Sequence, residues 1–385
     1  MNKGESSWLQ ASLIKNPNIE TIINEHLQEL LDLIRSKYIS HGTEIKPVDL
    51  ARKIQYFLLD SISAISLGKA FGNLKSDTDI DGCIKAIEEA LALWATSLAL
   101  GIGWLPQVPL IGWLFLPSLK DKEGFGKFMS KCFSYVDKRA ASVTDKDTDM
   151  LASFIRNGVV GDDLRSEALI FMTVGPVNPL GAISGTILHI ITNPRVYTKL
   201  QNEIDSAVRD GKAPPARGGL ISSTQAKQLP YLQATIRESM RICPPVDGLF
   251  AREVPPGGDT VVVDGKPMFL PGGTSIARSA VAMYRDKAIF GDDADYYRPE
   301  RWFPQDADKL AEMTSVIETV YNRGKSQCLG KAIAEVEIGK TIFELLRNFE
   351  LTLVKPARPW KRVNVLGLFI ISDMWVKVTE RTASD

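Results

Sequence analysis

The chain has few of the residues that build most metal and disulfide sites. Its 385 residues include three histidines, His26, His41 and His189, and four cysteines, Cys83, Cys132, Cys243 and Cys328. No histidines stand at ligand spacing and no CxxC pair occurs, which argues against a zinc site and a disulfide framework. A metal, if one is held, falls to a single cysteine. Charge of one sign is also missing: 46 basic residues balance 46 acidic ones, so nothing points to nucleic acid as a partner. Met1–Ser12 is short and polar and lacks the apolar core of a secretory signal. There is no internal repeat and no low-complexity tract. The remaining composition, 44% apolar and 24% charged, is that of a globular protein large enough for one or two domains.

Apolar residues at helical spacing predict helices over 19–38, 48–66, 79–97, 124–144, 147–154 and 195–209. The longest apolar helical run is Asp162–Thr192, which stops at Asn193-Pro194. A Gly-, Pro- and Ser-rich loop over 211–223 precedes a helix at Pro230–Ile242, closed by Pro244-Pro245. The character then changes. Asp259–Val263 and Lys266–Leu270 flank an Asp264-Gly265 turn, a strong hairpin signal. Thr274–Ala277 is expected to extend that sheet, and Leu351–Val354 and Trp375–Val378 to supply further strands. The expectation is a mainly α protein with a small β portion (α+β), one domain over 1–385. Residues 19–242 are mainly helical and 243–385 carry the strands.

Ala90–Leu119 is uncharged for thirty residues, long enough to span a bilayer. Gly101, Gly103, Pro106, Pro109, Gly112 and Pro117 interrupt it, and an interior proline costs a helix about 3 kcal/mol. With Trp94, Trp104 and Trp113 the segment reads as a broken, interface-seeking stretch in contact with a membrane surface. The alternatives are a buried hairpin of two core helices and a true span.

Tyr321–Gly330 reads YNRGKSQCLG. Cys328 lies on a glycine-bounded loop that runs into a Pro-free helix ending near Phe349. Backbone N–H groups and the positive end of a helix dipole stabilise a thiolate there. Glycines such as Gly324 and Gly330 let the backbone approach a flat, bulky group. The cysteine is either an axial iron ligand or a buried packing residue. On the Pro230–Ile242 helix, Glu238 and Arg241 stand three apart on one face. Arg298-Pro299-Glu300-Arg301-Trp302 brings another arginine, and a third partner for the pair would make a buried bidentate network.

ExxR at Glu238–Arg241, PERW at Pro299–Trp302 and GxxxCxG at Gly324–Gly330, in that order and after a long apolar helix, resemble the cytochrome P-450 family of haem-thiolate enzymes. The resemblance covers roughly Ile19 to the C-terminus and is closest in detail to fungal members. It implies a P-450-like fold holding haem b, with Cys328 as the axial thiolate and a push that favours O–O cleavage. It also implies cofactor contacts at Gly324, Gly330, Tyr321 and Arg252, the last to a haem propionate. Glu238, Arg241 and Arg301 become the network behind the haem. Tyr321 replaces the family's usual Phe. Ser326 stands where an arginine is usual, and Lys325 or Arg323 is expected to supply that charge.

The long helix departs further. Val174-Gly175-Pro176-Val177-Asn178-Pro179 falls where the family has Ala-Gly-x-Asp/Glu-Thr-Thr. Gly175 is kept and leaves room for a small ligand on iron. The proton-relaying acid and alcohol become Val177, which has no proton to give, and Asn178, which donates hydrogen bonds but has no usable pKa. Prostacyclin synthase and allene oxide synthase, which rearrange peroxides without O2, carry Asn at this place, and so do some sterol hydroxylases. The family's N-terminal anchor, first sheet and propionate-binding helix have no counterpart upstream of Ile19.

The resemblance implies a monooxygenase, an oxidoreductase fed by an NADPH-dependent reductase. It would insert one oxygen atom from O2 into an apolar small molecule, a secondary metabolite or lipid-like compound. The alternatives are an O2-independent isomerase or dehydratase and an inactive, truncated haem protein. Substrate contacts are expected from Ala90–Leu119, Met172, Val177, Val246, Phe250 and Phe369, and all are apolar. The expected location is the endoplasmic reticulum membrane surface or the cytoplasm.

Overall fold

A computed structural model describes residues 18–381, apart from 109–111, 113–115, 145–146, 216–217 and 249 and the side chain of Lys325. Trp113 and Pro109 therefore lie outside the described residues. The main helices are α1 (Ile19–Lys37), α2 (Leu50–Leu67), α3 (Cys83–Ala99), α4 (Gly124–Ala140), α5 (Met150–Arg156), α6 (Gly161–Val174) and α7 (Val177–Ile191). They continue with α8 (Pro194–Arg209), α9 (Ser223–Lys227), α10 (Pro230–Ile242), α11 (Ala280–Tyr284), α12 (Ala307–Ile317) and α13 (Lys331–Asn348). The short strands are β1 (Val48–Asp49), β2 (Arg252–Glu253), β3 (Asp259–Val263), β4 (Lys266–Leu270), β5 (Ser275–Ile276), β6 (Phe349–Leu353), β7 (Lys361–Val365), β8 (Leu368–Ser372) and β9 (Trp375–Glu380). The protein is mainly helical with small antiparallel sheets, as the sequence predicts.

The core is built on α7 and α2. Leu180, Ile183, Ile187 and Ile190 of α7 are buried, as are Phe57, Leu58, Leu59, Ile62 and Ile65 of α2. α7 packs against α2, α8, α10, α13 and β8. Asp49 starts α2 by accepting from the Arg52 N–H and also accepts from the N–H groups of Asp373 and Met374. One carboxylate thus caps a helix and ties it to the turn between β8 and β9.

The predicted helix over 162–192 is two helices. Gly161–Ile191 is long and apolar enough to cross a membrane, but 61% of its most apolar stretch is buried inside the protein. Pro176 and Pro179 have no N–H to offer the carbonyls of Met172 and Gly175, so the ladder opens between α6 and α7. The β3–β4 hairpin has the predicted register, Val263 opposite Lys266. Asp264 and Gly265 both take positive φ, 51° and 76°, the geometry of a tight two-residue hairpin turn. Thr274–Ala277 does not extend this sheet. Ser275–Ile276 pairs with Arg252–Glu253 instead. β6 and the N-terminal β1 flank β9 in a separate three-stranded sheet.

In Ala90–Leu119 the helix ends at Ala99, and Gly101 turns the chain at a φ of 71°. Leu93, Trp94, Leu98, Leu100, Ile102, Trp104, Leu116 and Leu119 are exposed. The described part is neither a buried hairpin nor a spanning helix, because its large apolar side chains face outward from a broken backbone.

Candidate active site

The cysteine loop is assembled from short turns. After α12 the chain makes a 3-10 turn at Glu318–Tyr321 and another at Gly324–Ser326, and then enters α13. The Cys328 N–H donates to the Tyr321 carbonyl at 2.7 Å and the Gln327 N–H to the Gly324 carbonyl at 3.1 Å. These bonds fold the loop back on itself and leave Cys328 on its outer side, exposed. Gly324 holds a φ of 65°, a conformation costly for a side-chain-bearing residue. Gly330 leaves 3.8 Å between the place of a missing Cβ and the sulfur.

Desolvation by the protein on one side of the loop pushes the Cys328 thiol pKa up. The backbone N–H groups of Gly330 and Lys331 and the charge of Lys331 oppose that shift. The sulfur thus meets the start of α13 as a helix N-terminus meets an anion. Tyr321 packs with its ring 5.3 Å from the Lys331 ammonium, and desolvation raises its pKa, with smaller contributions from Glu335, Cys328 and Glu318. Arg323, expected to supply charge beside Cys328, instead donates to the carbonyl and hydroxyl of Ser315 at the end of α12. The side chain of Lys325 lies outside the described residues.

Glu238, Arg241 and Arg301 meet in one network. The Arg241 guanidinium donates to both Glu238 oxygens, at 3.0 and 2.7 Å, and Arg301 Nε donates to Glu238 Oε1 at 2.9 Å. Trp302 Nε1 and the Arg298 N–H complete the carboxylate's partners at 3.0 and 2.8 Å. The other arginine nitrogens donate to carbonyls of Tyr284, Phe290, Asp293, Ala294 and Tyr296. Both members of the Glu238–Arg241 pair are wholly buried, so this is a satisfied lattice rather than a surface ion pair. The role of Trp302 was missed, although the PERW motif contains it.

Asn178 lies at the first turn of α7, and its Oδ1 is buried with no hydrogen-bond partner. Gly175 packs toward α2: a Cβ there would stand 3.1 Å from Ile62 Cγ1. The predicted substrate residues divide. Val177 and Phe369 line a crevice of about 10 Å³, room for a single water, with Ile84, Ile87, Glu88 and Leu91 of α3. Val246 bridges to Leu368 beside it. Met172 is fully buried in the core. Phe250 stands elsewhere, exposed at a φ of 46° and 5.7 Å from the Arg278 guanidinium. Arg252 is exposed and, among the described residues, its side chain donates to the carbonyls of Phe250 and Ala251. A further cleft of about 260 Å³ lies between α10 and α13 and is lined by Arg237, Tyr321 and Lys331.

A lone cysteine sulfur on an open loop at a helix start, in a chain that also carries that buried Glu-Arg-Arg lattice, is the pattern of the haem-thiolate class of proteins. The family model for cytochrome P450 matches residues 8–372, and the chain belongs to the cytochrome P450 family. It is 38% identical over 378 residues to cytochrome P450 monooxygenase ABA1 of Pyricularia oryzae, covering 95% of this chain and 71% of that protein. It is equally identical, over 380 residues, to cytochrome P450 monooxygenase aba1 of Botryotinia fuckeliana, covering 96% and 71%. It is 29% identical over 353 residues to pisatin demethylase of Fusarium vanettenii, covering 88% and 62%.

The family's cofactor is haem b on a cysteine thiolate, and the residues present fit it. Among the described residues no group of three His, Cys, Asp or Glu could hold a bare metal ion. One soft sulfur donor on an open loop suits iron in a macrocycle that supplies its own nitrogens.

Proposed function

We propose that the chain is a haem-thiolate monooxygenase of fungal secondary metabolism with Cys328 as its axial ligand. The observation that carries this reading is the Cys328 sulfur facing the N–H groups of Gly330 and Lys331 on an open, glycine-hinged loop. Haem bound there supplies the iron at which O2 is activated with electrons from an NADPH-dependent reductase. Burial favours the protonated thiol in the free chain, and the helix start and Lys331 lessen what iron must supply to hold the thiolate. Arg252, without an acidic partner, is available to a carboxylate of the cofactor. Glu238, Arg241 and Arg301 brace the 284–296 backbone, and the Tyr284 hydroxyl bonds Thr319 at the entry to the loop.

At the α6–α7 break, Val177 offers no proton and Asn178 offers a hydrogen-bonding amide. The carbonyls of Met172 and Gly175, freed by the two prolines, are acceptors for a water that Asn178 helps to hold. Proton delivery then runs through water rather than through a side-chain acid. The apolar side chains of Val177, Val246 and Phe369 favour an apolar substrate. The test is oxygen-18 transfer from O2 into an apolar substrate with NADPH and a fungal reductase. The Asn178→Thr variant is expected to raise coupled turnover several-fold. The unpartnered amide oxygen also suits a peroxide-rearranging enzyme. Loss of activity in Asn178→Thr, with hydroperoxide consumed in the absence of reductant, would sink the monooxygenase reading in favour of that one.

The exposed apolar residues of α3 and the following loop support contact with a membrane surface, such as that of the endoplasmic reticulum. Trp94 and Trp104 are 54% and 58% exposed, and burying one large apolar side chain is worth roughly 1.5–3 kcal/mol. Changing both to serine is expected to weaken co-sedimentation with phosphatidylcholine vesicles at least tenfold. Equal sedimentation of the two proteins would count against it.

A further inference from the structure

Arg278 stands two residues beyond β5, in the part of the chain that runs toward the cysteine loop. Its Nη2 donates to the Thr319 carbonyl, two residues before Tyr321, whose own carbonyl receives the Cys328 N–H. Its Nε is buried and has no hydrogen-bond partner. No acidic side chain forms an ion pair with it among the described residues. A buried, unpartnered guanidinium donor is expensive unless something completes it.

The sheet places a second arginine, exposed Arg252, beside it. Arg252 pairs with Ile276 across β2 and β5. Phe250 links the two: the Arg278 guanidinium lies over its ring at 5.7 Å, and Arg252 Nη1 donates to its carbonyl at 3.2 Å. Two arginines without a carboxylate partner therefore leave the same end of a two-stranded sheet, next to the loop that carries Cys328. Iron protoporphyrin IX carries two propionates. Ser326 provides no charge at its place, and Arg323 is committed to Ser315.

We propose that Arg278 is a cofactor-positioning residue that binds one haem propionate, with Arg252 beside it, and so replaces the charge missing at Ser326. This rests on the haem-thiolate reading above. The free Nε takes the carboxylate while Nη2 keeps its bond to Thr319. One guanidinium then couples the propionate to the loop that presents the sulfur. The planar fork matters here, because a lysine could not donate to Thr319 and to a carboxylate in the same plane.

The test compares the haem-loaded chain with Arg278→Ala and Arg278→Lys, each carrying either iron protoporphyrin IX or its dimethyl ester. Transfer of the cofactor to excess apomyoglobin is followed by absorbance. With the free acid, Arg278→Ala is expected to lose haem roughly tenfold faster than the parent chain, the scale of a charge-assisted hydrogen bond. Arg278→Lys should fall between. With the dimethyl ester, parent and variants should exchange at the same rate. Equal rates with the free acid, or an equal acceleration with acid and ester, would overturn the assignment, the second by showing that Arg278 only braces the loop. A parent chain that takes up no haem, or shows no thiolate spectrum, overturns the haem-thiolate reading itself and this inference with it. A parent that loads normally while Arg278→Ala matches it overturns this inference alone.

Discussion

Replacing Cys328 by serine is expected to abolish the thiolate-type Soret band of the reduced, carbon monoxide-bound protein while leaving its far-ultraviolet circular dichroism nearly unchanged. The two readouts separate because the residue acts through two different atoms. Its backbone N–H bonds the Tyr321 carbonyl at 2.7 Å, and serine keeps that bond and the fold of the loop. Its sulfur is the ligand in the proposed site, and a serine hydroxyl does not ionise at neutral pH to take its place. Desolvation holds the Cys328 thiol above the ordinary range in the free chain, against the pull of Gly330, Lys331 and the helix start. Iron binding must displace that proton, so haem uptake by the parent should quicken as pH rises. An unchanged Soret band in Cys328→Ser would remove Cys328 as the ligand.

Glu238→Gln is predicted to be the most destabilising single change near the site. The carboxylate is wholly buried and accepts from Arg241, Arg301, Trp302 and the Arg298 N–H. Glutamine is nearly isosteric, but it carries no charge and turns an NH2 group toward donors. Buried Arg241 then loses its counter-charge, and Arg301 keeps only that of the partly exposed Asp293. Breaking a buried pair in this way costs about 3–5 kcal/mol, a large share of the roughly 5–15 kcal/mol that holds a typical domain. The urea midpoint should fall accordingly. Haem should be lost as well, because Arg241 holds the Tyr284 carbonyl and the Tyr284 hydroxyl bonds Thr319 in the turn that enters the cysteine loop. A midpoint within about 1 kcal/mol of the parent would show that the lattice is not what holds this segment.

The membrane-contact and substrate readings depend on how outward and inward apolar faces are sorted, and the sequence is ambiguous on that point. Ala90–Leu119 is equally apolar whether buried or exposed. Only the packing of α3 against α4 decides that Ile84, Ile87 and Leu91 turn inward while Leu93, Trp94 and Leu98 do not. Met172 and Val177 look alike in the sequence, and both are buried, but only Val177 also borders the small crevice beside Phe369.

What the sequence determined by itself is whatever depends on neighbours along the chain. The Pro230–Ile242 helix has the predicted bounds, since proline opens it and a proline pair follows it. The Asp264-Gly265 hairpin is in the predicted register, since those two residues tolerate the positive φ that the turn needs. Gly367 signals a turn before Phe369, but the strands of the β7–β8 hairpin are not among those expected, since the turn's other residue is Leu366 at a φ of 55°, a conformation that leucine rarely signals. The tertiary structure alone decided the rest. It joined Arg301 to Glu238 across 63 residues and put Arg278 and Arg252 on one sheet end. It buried Glu337 on the inner face of α13, where desolvation pushes its carboxyl up to about 8. Those outcomes depend on distances between segments remote in sequence and on the dielectric they share, and neither is encoded in local spacing.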